Sequence, residues 1–256
     1  MTLRVLDLFS GIGGFSLGLE RTGGFKTVAF CEIEPFPRRV LAKHWPEVPC
    51  YDDVRTLTAD RLRTDGICVD VICGGFPCQD LSFAGKGAGL AGERSGLWSE
   101  IARLVGELRP QFVIVENVSA LLNRGLGPVL GDLATVGYDA EWHCIPASST
   151  GLYHDRDRVW IVAYRAGEHG RTRCLLEACS VWGSSLQSRR LHSDAVARRG
   201  RRPGERLERE PRLARLVQRV PDRTHRLEAQ GNTVVPQIPE LIGNAILASL
   251  AQQEAA

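Results

Sequence analysis

Between Leu3 and Tyr164 the chain alternates two kinds of apolar pattern. Runs with strand character cover Leu3 to Phe9, Thr27 to Cys31, Val69 to Cys73, Phe112 to Val115 and Val159 to Ala163, with a weaker one through Tyr138 to Ile145. Between them, Phe15 to Thr22, Phe36 to His44, Leu97 to Leu108 and Pro128 to Val136 repeat apolar residues every three to four positions, the spacing of one helical face. Gly23-Gly24, Pro46 and Gly137 supply stop signals. The alternation predicts an α/β domain over residues 1–164, built on a parallel, doubly wound sheet.

Beyond Tyr164 the pattern breaks into Arg, Gly, Ser and Glu. It resumes at Pro236-Gln237-Ile238-Pro239, which opens a helix with Ile238, Leu241, Ile242, Ala245 and Ile246 on one face. A core-like helix after a polar excursion predicts that residues 165–228 form an appendage and that residues 229–256 return to the main domain. Charge separates the same segments. Residues 165–228 hold 16 Arg, no Lys and 8 acids, whereas the remainder holds 16 bases against 22 acids, so a net charge of +2 conceals a basic lobe on an acidic body. Such a lobe suits a polyanion, although a solvated surface has the same composition.

With 43% apolar and 24% charged residues the chain is ordinary globular material, and no apolar run approaches the roughly 20 residues that span a bilayer. A cytoplasmic protein without a membrane partner is the expectation. The eight cysteines lack two-residue pair spacing, so reduced thiols and no metal site are expected.

One of those cysteines has unusual surroundings. Gly74-Gly75-Phe76-Pro77-Cys78-Gln79 follows the apolar run Val69 to Cys73, and Pro77 fixes the backbone just before the thiol. A nucleophile on a loop at the carboxyl end of a strand fits this placement better than a buried structural thiol does. The first strand ends in Phe9-Ser10-Gly11-Ile12-Gly13-Gly14, a glycine turn opening a helix, where ligands of open α/β sheets sit. Ser16 occupies the third glycine position of the dinucleotide fingerprint, which disfavours a nicotinamide cofactor. Glu32 lies about 20 residues beyond the turn, where a carboxylate can accept from ribose hydroxyls, and Asp53 ends the third strand in the same way.

Two further groups complete the candidate chemistry. Glu116-Asn117-Val118 ends the strand from Phe112, on the sheet edge expected to carry Cys78; burial there would raise the carboxyl pKa toward neutrality. Asn117 alternatively caps a helix. Arg156 and Arg158, two apart in an extended segment, turn to one face, to hold an anion or a carbonyl or else to pair with nearby acids such as Asp155 or Asp157.

In this order the motifs resemble those of the cytosine carbon-5 DNA methyltransferase family, whose members use S-adenosylmethionine. The resemblance covers nearly the whole chain outside the basic lobe. It implies a Rossmann-like class I methyltransferase fold with a small, irregular target-recognition lobe at 165–228. It implies cofactor contacts from Phe9, Gly11, Gly13, Gly14, Glu32, Ile33, Asp53, Val54, Pro77, Leu97, Asn232 and Val234, the last two within Gly231-Asn232-Thr233-Val234. Cys78 would be the nucleophile, Glu116 would hold the cytosine ring and Arg156 and Arg158 would complete the catalytic set. Gln79, Ser82 and Lys86 would contact nucleic acid. The implied partner is double-stranded DNA, acted on by a monomer, with transfer RNA or a catalytically impaired binding protein as alternatives. Two departures stand out. Tyr153-His154 replaces the family's Pro-Gln before the paired arginines, and its ninth motif has only a weak counterpart around Pro221-Asp222-Arg223.

Overall fold

A computed structural model describes residues 2–77, 95–150, 156–167, 225, 229 and 231–254. Seven strands form one sheet in the order β3-β2-β1-β4-β5-β7-β6. They are β1 (Leu3–Leu8), β2 (Phe25–Cys31), β3 (Cys50–Tyr51), β4 (Val71–Gly74), β5 (Phe112–Val118), β6 (Tyr138–Pro146) and β7 (Asp157–Arg165). The helices are α1 (Gly14–Arg21), α2 (Pro35–His44), α3 (Ala59–Thr64), α4 (Trp98–Leu108), α5 (Leu121–Arg124), α6 (Leu126–Thr135) and α7 (Gln237–Glu254). Each apolar run and helical stretch read from the sequence has its counterpart; β3, α3, α5 and short 3-10 turns at Ser95–Leu97 and Ala147–Thr150 are additional.

Strands β3, β2, β1, β4 and β5 run parallel, as expected, but β7 pairs antiparallel to both β5 and β6. The fully parallel sheet is therefore corrected to a mixed one. β6 and β7 are joined by a short connection, with Pro146 paired to Asp157, and a return that short cannot make the crossover a parallel pair needs.

Alternation along the strands sends side chains to two cores. Leu6, Leu8, Ile72, Val113, Val115, Val159 and Ile161 meet α3 to α6 on one face; Leu3, Val5, Val71, Cys73, Phe112, Ile114, Trp160 and Val162 meet α1 and α7 on the other. The terminal helix buries Ile238, Ile242 and Ile246 there and leaves Leu241 and Ala245 half-buried, so it packs on the main sheet as its periodicity predicts. The chain runs from β1 to β2 and β3 on one side, then crosses back over β1 to β4 on the other. A crevice results at the carboxyl ends of β1 and β4, where open α/β sheets bind ligands.

Candidate active site and cofactor cleft

The glycine turn after β1 lines one wall of that crevice. A Cβ added at Gly14 would come within 2.4 Å of the Val234 carbonyl oxygen, so only glycine lets the segment before α7 lie against the start of α1. Val234 is buried by this contact, while Asn232 beside it is exposed. The turn is anchored from across the crevice. The Gly11 amide donates to Glu32 Oε2 at 2.7 Å and the Glu34 amide to Oε1 at 2.8 Å. Burial raises the Glu32 pKa, and those two amides oppose the rise. Ile33 follows with 59% exposure, an apolar surface beside a buried acid. An acid that can accept from hydroxyls and an apolar face for a flat ring fit the ribose and adenine of a nucleoside cofactor.

Asp53 and Val54 follow β3. The Asp53 carboxylate is taken by Arg55, whose Nη2 donates to Oδ2 at 2.7 Å and whose amide and Nε donate to Oδ1 at 2.9 Å. Arg55 holds the Asp53 pKa below the usual carboxylate range. Val54 is buried in the core, with its carbonyl directed to Arg103 of α4. Phe9 is half-buried with a positive φ of 52°, and Leu97 is half-buried at the start of α4.

The second wall is the carboxyl end of β5. Glu116 is buried among the strands, and Arg158 Nε lies 2.9 Å from its Oε1, with Arg156 Nη2 at 3.9 Å. Of the alternatives open for the arginines, pairing with an acid holds, and the acid is Glu116. Register explains it: β7 runs antiparallel along β5, Val118 faces Arg158 and Glu116 faces Trp160, so the arginine side chains lean back over the carboxylate. Burial pushes the Glu116 pKa up, and Arg158 and Arg156 pull it partly back. Burial lowers the Arg156 pKa, with repulsion from Arg158 adding to it. Arg156 also donates to the Gly231 carbonyl, which joins the paired arginines to the segment before α7.

Glu116 meets the loop that leads to the cysteine. A Cβ at Gly75 would stand 2.9 Å from Glu116 Oε2, so the absence of a side chain at Gly75 lets the carboxylate reach the backbone three residues before Cys78. Asn117 does not cap α5, whose N-cap is Ala120; its Nδ2 donates to the Phe76 carbonyl at 3.2 Å. Phe76 is buried against Trp98, with ring centroids 5.5 Å apart, and Pro77 is half-buried. Cys78, Gln79, Ser82, Lys86, the Tyr153-His154 step and nearly all of the basic lobe lie outside the described residues.

Sequence reasoning missed three contributors. Asp7 is fully buried in β1, accepts from Ser16 Oγ at 2.7 Å, and has its pKa pushed up to about 7 by burial. An acid within an apolar strand run was the available signal. Arg103 and the Asn117 contact left none, because their partners lie 41 to 49 positions away in sequence.

The sheet order and the placement of both walls define a Rossmann-like class I methyltransferase. A family model, C-5 cytosine-specific DNA methylase, matches residues 3–196, and the chain belongs to that family. It is 37% identical over 169 residues to the Type II methyltransferase M2.BsuMI of Bacillus subtilis, covering 63% of this chain and 42% of that protein. It is 34% identical over 167 residues to the Type II methyltransferase M.CviJI of Paramecium bursaria Chlorella virus IL3A, covering 64% and 44%. A crystal structure described as a DNA modification methyltransferase encoded within an E. coli prophage shares 29% identity at a TM-score of 0.55, over 64% of this chain and 47% of that one. The fold of Spodoptera frugiperda DNMT2 matches at a TM-score of 0.55 and 22% identity, over 65% and 51%. The chain spans less than half the length of the two curated relatives described.

Proposed function

We propose that this chain transfers a methyl group from S-adenosylmethionine to carbon 5 of a cytosine swung out of duplex DNA, through a covalent adduct with Cys78. The observation that carries the reading is the buried carboxyl of Glu116, held between Arg158 and Gly75 three residues before the cysteine. Carbon 5 of cytosine is a weak nucleophile, so electrons must first enter the ring. The Cys78 thiolate adds to carbon 6, forming a carbon–sulfur bond and placing an electron pair toward carbon 5.

Glu116 suits the charge that develops. Ring nitrogen 3 of cytosine accepts a hydrogen bond and the adjacent amino group donates one. A carboxyl whose pKa is raised by burial can donate to the first and accept from the second in one plane. Arg156 and Arg158, paired with Glu116, would bind the ring carbonyl, and their charge would favour the thiolate over a thiol that is mostly protonated at neutral pH. S-adenosylmethionine, when bound, would supply the methyl group to carbon 5, its methyl–sulfur bond breaking and S-adenosylhomocysteine leaving. Carbon 5 then loses its proton and the bond to Cys78 breaks, which restores the aromatic ring. Glu32 and Ile33 bind the nucleoside end, and Val234 against Gly14 closes that wall. Because the target atom is inside the stack of a duplex, the base must leave it before reaching this crevice. The Arg-rich lobe supplies phosphate contacts, and binding should weaken steeply with salt.

Transfer of labelled methyl groups to duplex DNA and to transfer RNA tests the reading directly. Incorporation into DNA is expected, together with a trapped adduct on a duplex containing 5-fluorocytosine; Cys78→Ala abolishes both. Methyl transfer at an unchanged rate by that variant would refute the covalent route. Transfer to RNA alone would replace the substrate.

A further inference from the structure

We propose that Arg103, on the middle of α4, is a positioning residue for the adenine-side wall of the cleft, an inference that rests on the cofactor reading above. The wall needs a brace because β3 is only Cys50–Tyr51, and the turn that follows it, Asp53 to Leu57, has no strand partner of its own. Its internal bonds, from the Thr56 and Leu57 amides to the Asp53 carbonyl, shape the turn without fixing where it sits. Burial of Val54 and Leu57 holds the turn against the core, and Arg103 adds directed bonds to it. Its Nη2 donates to the Val54 carbonyl at 3.0 Å and to the Leu57 carbonyl at 2.8 Å, gripping the two buried residues of the turn.

The guanidinium is itself locked. Nε donates to Glu100 Oε2 at 2.8 Å and Nη1 to Glu107 Oε1 at 2.7 Å, both acids being on α4. Glu107 Oε2 accepts from the Ala59 amide at 3.0 Å, so the same network secures the start of α3 beyond the turn. Four directed bonds from one planar group are within the reach of arginine, whereas a lysine ammonium has three donors and no fixed fork. The two acids hold Arg103 ionised and raise its pKa against the cost of burial.

The helix that carries this brace also supports the other wall. Trp98, in the first turn of α4, packs on Phe76 and donates to Asp132 Oδ2 at 2.8 Å. One rigid element therefore sets the distance between the adenine-side turn and the loop that leads to Cys78. Losing Arg103 should loosen cofactor binding while leaving Glu116 and its arginines in place, because none of its partners belongs to that cluster.

Calorimetric titration of S-adenosylhomocysteine into the whole chain tests this, with Arg103→Gln and Arg103→Lys as variants and Arg4→Gln as a control. Arg4 makes three comparable bonds to Asp70 at the amino-terminal ends of β1 and β4, away from the cleft. Arg103→Gln is expected to raise the Kd about tenfold, and to raise KM for S-adenosylmethionine with kcat preserved at saturation. Arg103→Lys should lie between it and the unsubstituted chain. Arg4→Gln should lower Tm and leave the Kd unchanged. A Kd within twofold of the unsubstituted value for Arg103→Gln, or equal losses in Arg103→Gln and Arg4→Gln, overturns the proposal. If Arg103→Gln fails to fold, Arg103→Lys decides by the same twofold criterion. No binding by the unsubstituted chain overturns the cofactor reading, and this proposal with it.

Discussion

The two walls of the cleft each bury an acid, and they hold it by different means. Glu32 takes its hydrogen bonds from main-chain amides at Gly11 and Glu34, whereas Glu116 has two arginine side chains, Arg158 of β7 and Arg156 just before it. Both carboxyl groups have raised pKa values because burial outweighs the groups that oppose it. Main-chain amides survive every substitution but proline and cannot move independently of the turn. They suit an acid that must keep one shape for a bound nucleoside. Guanidinium groups carry full charge, so they can tune a carboxyl that must share a proton with a reacting ring.

That contrast breaks first at Glu116. Glu116→Ala should lower kcat by about 10²–10³-fold, the scale for losing a group that stabilises developing charge. Glu116→Gln should lose less, because its amide still donates to ring nitrogen 3 and accepts from the amino group. Equal losses in the two variants, measured as single-turnover methyl transfer, would remove the neutral-carboxyl role.

Arg158→Ala comes next, at about 10²-fold in kcat, a loss comparable to that of an oxyanion-hole donor. Its pH profile is more informative than its size. Arg158 pulls the Glu116 pKa down, so removing it lets that pKa climb and the protonated form persist to higher pH. If protonated Glu116 is the competent state, activity falls as pH rises through its pKa, and the alkaline limb of the variant moves up. A limb that stays in place would separate Arg158 from Glu116 titration.

On the main-chain side, Glu32→Ala should act on binding. KM for S-adenosylmethionine should rise about tenfold with kcat retained at saturation, the pattern of lost uniform binding. A fall in kcat without a change in KM would erase the division between the walls.

The legible parts of this molecule are those with local causes. Apolar alternation and helical spacing are properties of a few adjacent residues, and they placed β1, β2, β4, β5, β6, β7, α1, α2, α4, α6 and α7. Strand direction is not local. The antiparallel setting of β7 between β5 and β6 depends on the short return after β6, and nothing in the apolar run Val159 to Ala163 encodes it. Two-residue β3 is too short to carry a period, and α3 is little longer than one helical turn. At the site, Glu32 was readable from its distance to the glycine turn, and the arginine pair from its two-residue spacing. What joins them was not readable, because Glu116 meets Arg158 and Asn117 meets Phe76 only after the sheet is assembled.

Asp7 extends the comparison to an acid held mainly by a serine, and here the expected effect is on stability. It lies beneath the glycine turn, on the α1 and α7 face; Ser16 binds Oδ2, while Oδ1 is buried without a hydrogen-bond partner among the described residues. Burial raises its pKa from 3.8 to about 7, and the bond from Ser16 offsets that only in part. The folded form therefore holds the proton more tightly than the unfolded chain does. The resulting stabilisation is complete below the unfolded pKa, near 4, and is lost as pH rises through about 7. Asp7→Asn removes the titration while keeping an oxygen for Ser16 and offering an amide at the unpartnered position. Its Tm relative to the unsubstituted chain should rise between pH 5 and pH 8, by about 2–4 °C for each kcal/mol of the lost penalty. Differential scanning calorimetry at several pH values measures this difference directly. A Tm difference independent of pH would show that Asp7 stays ionised in its burial.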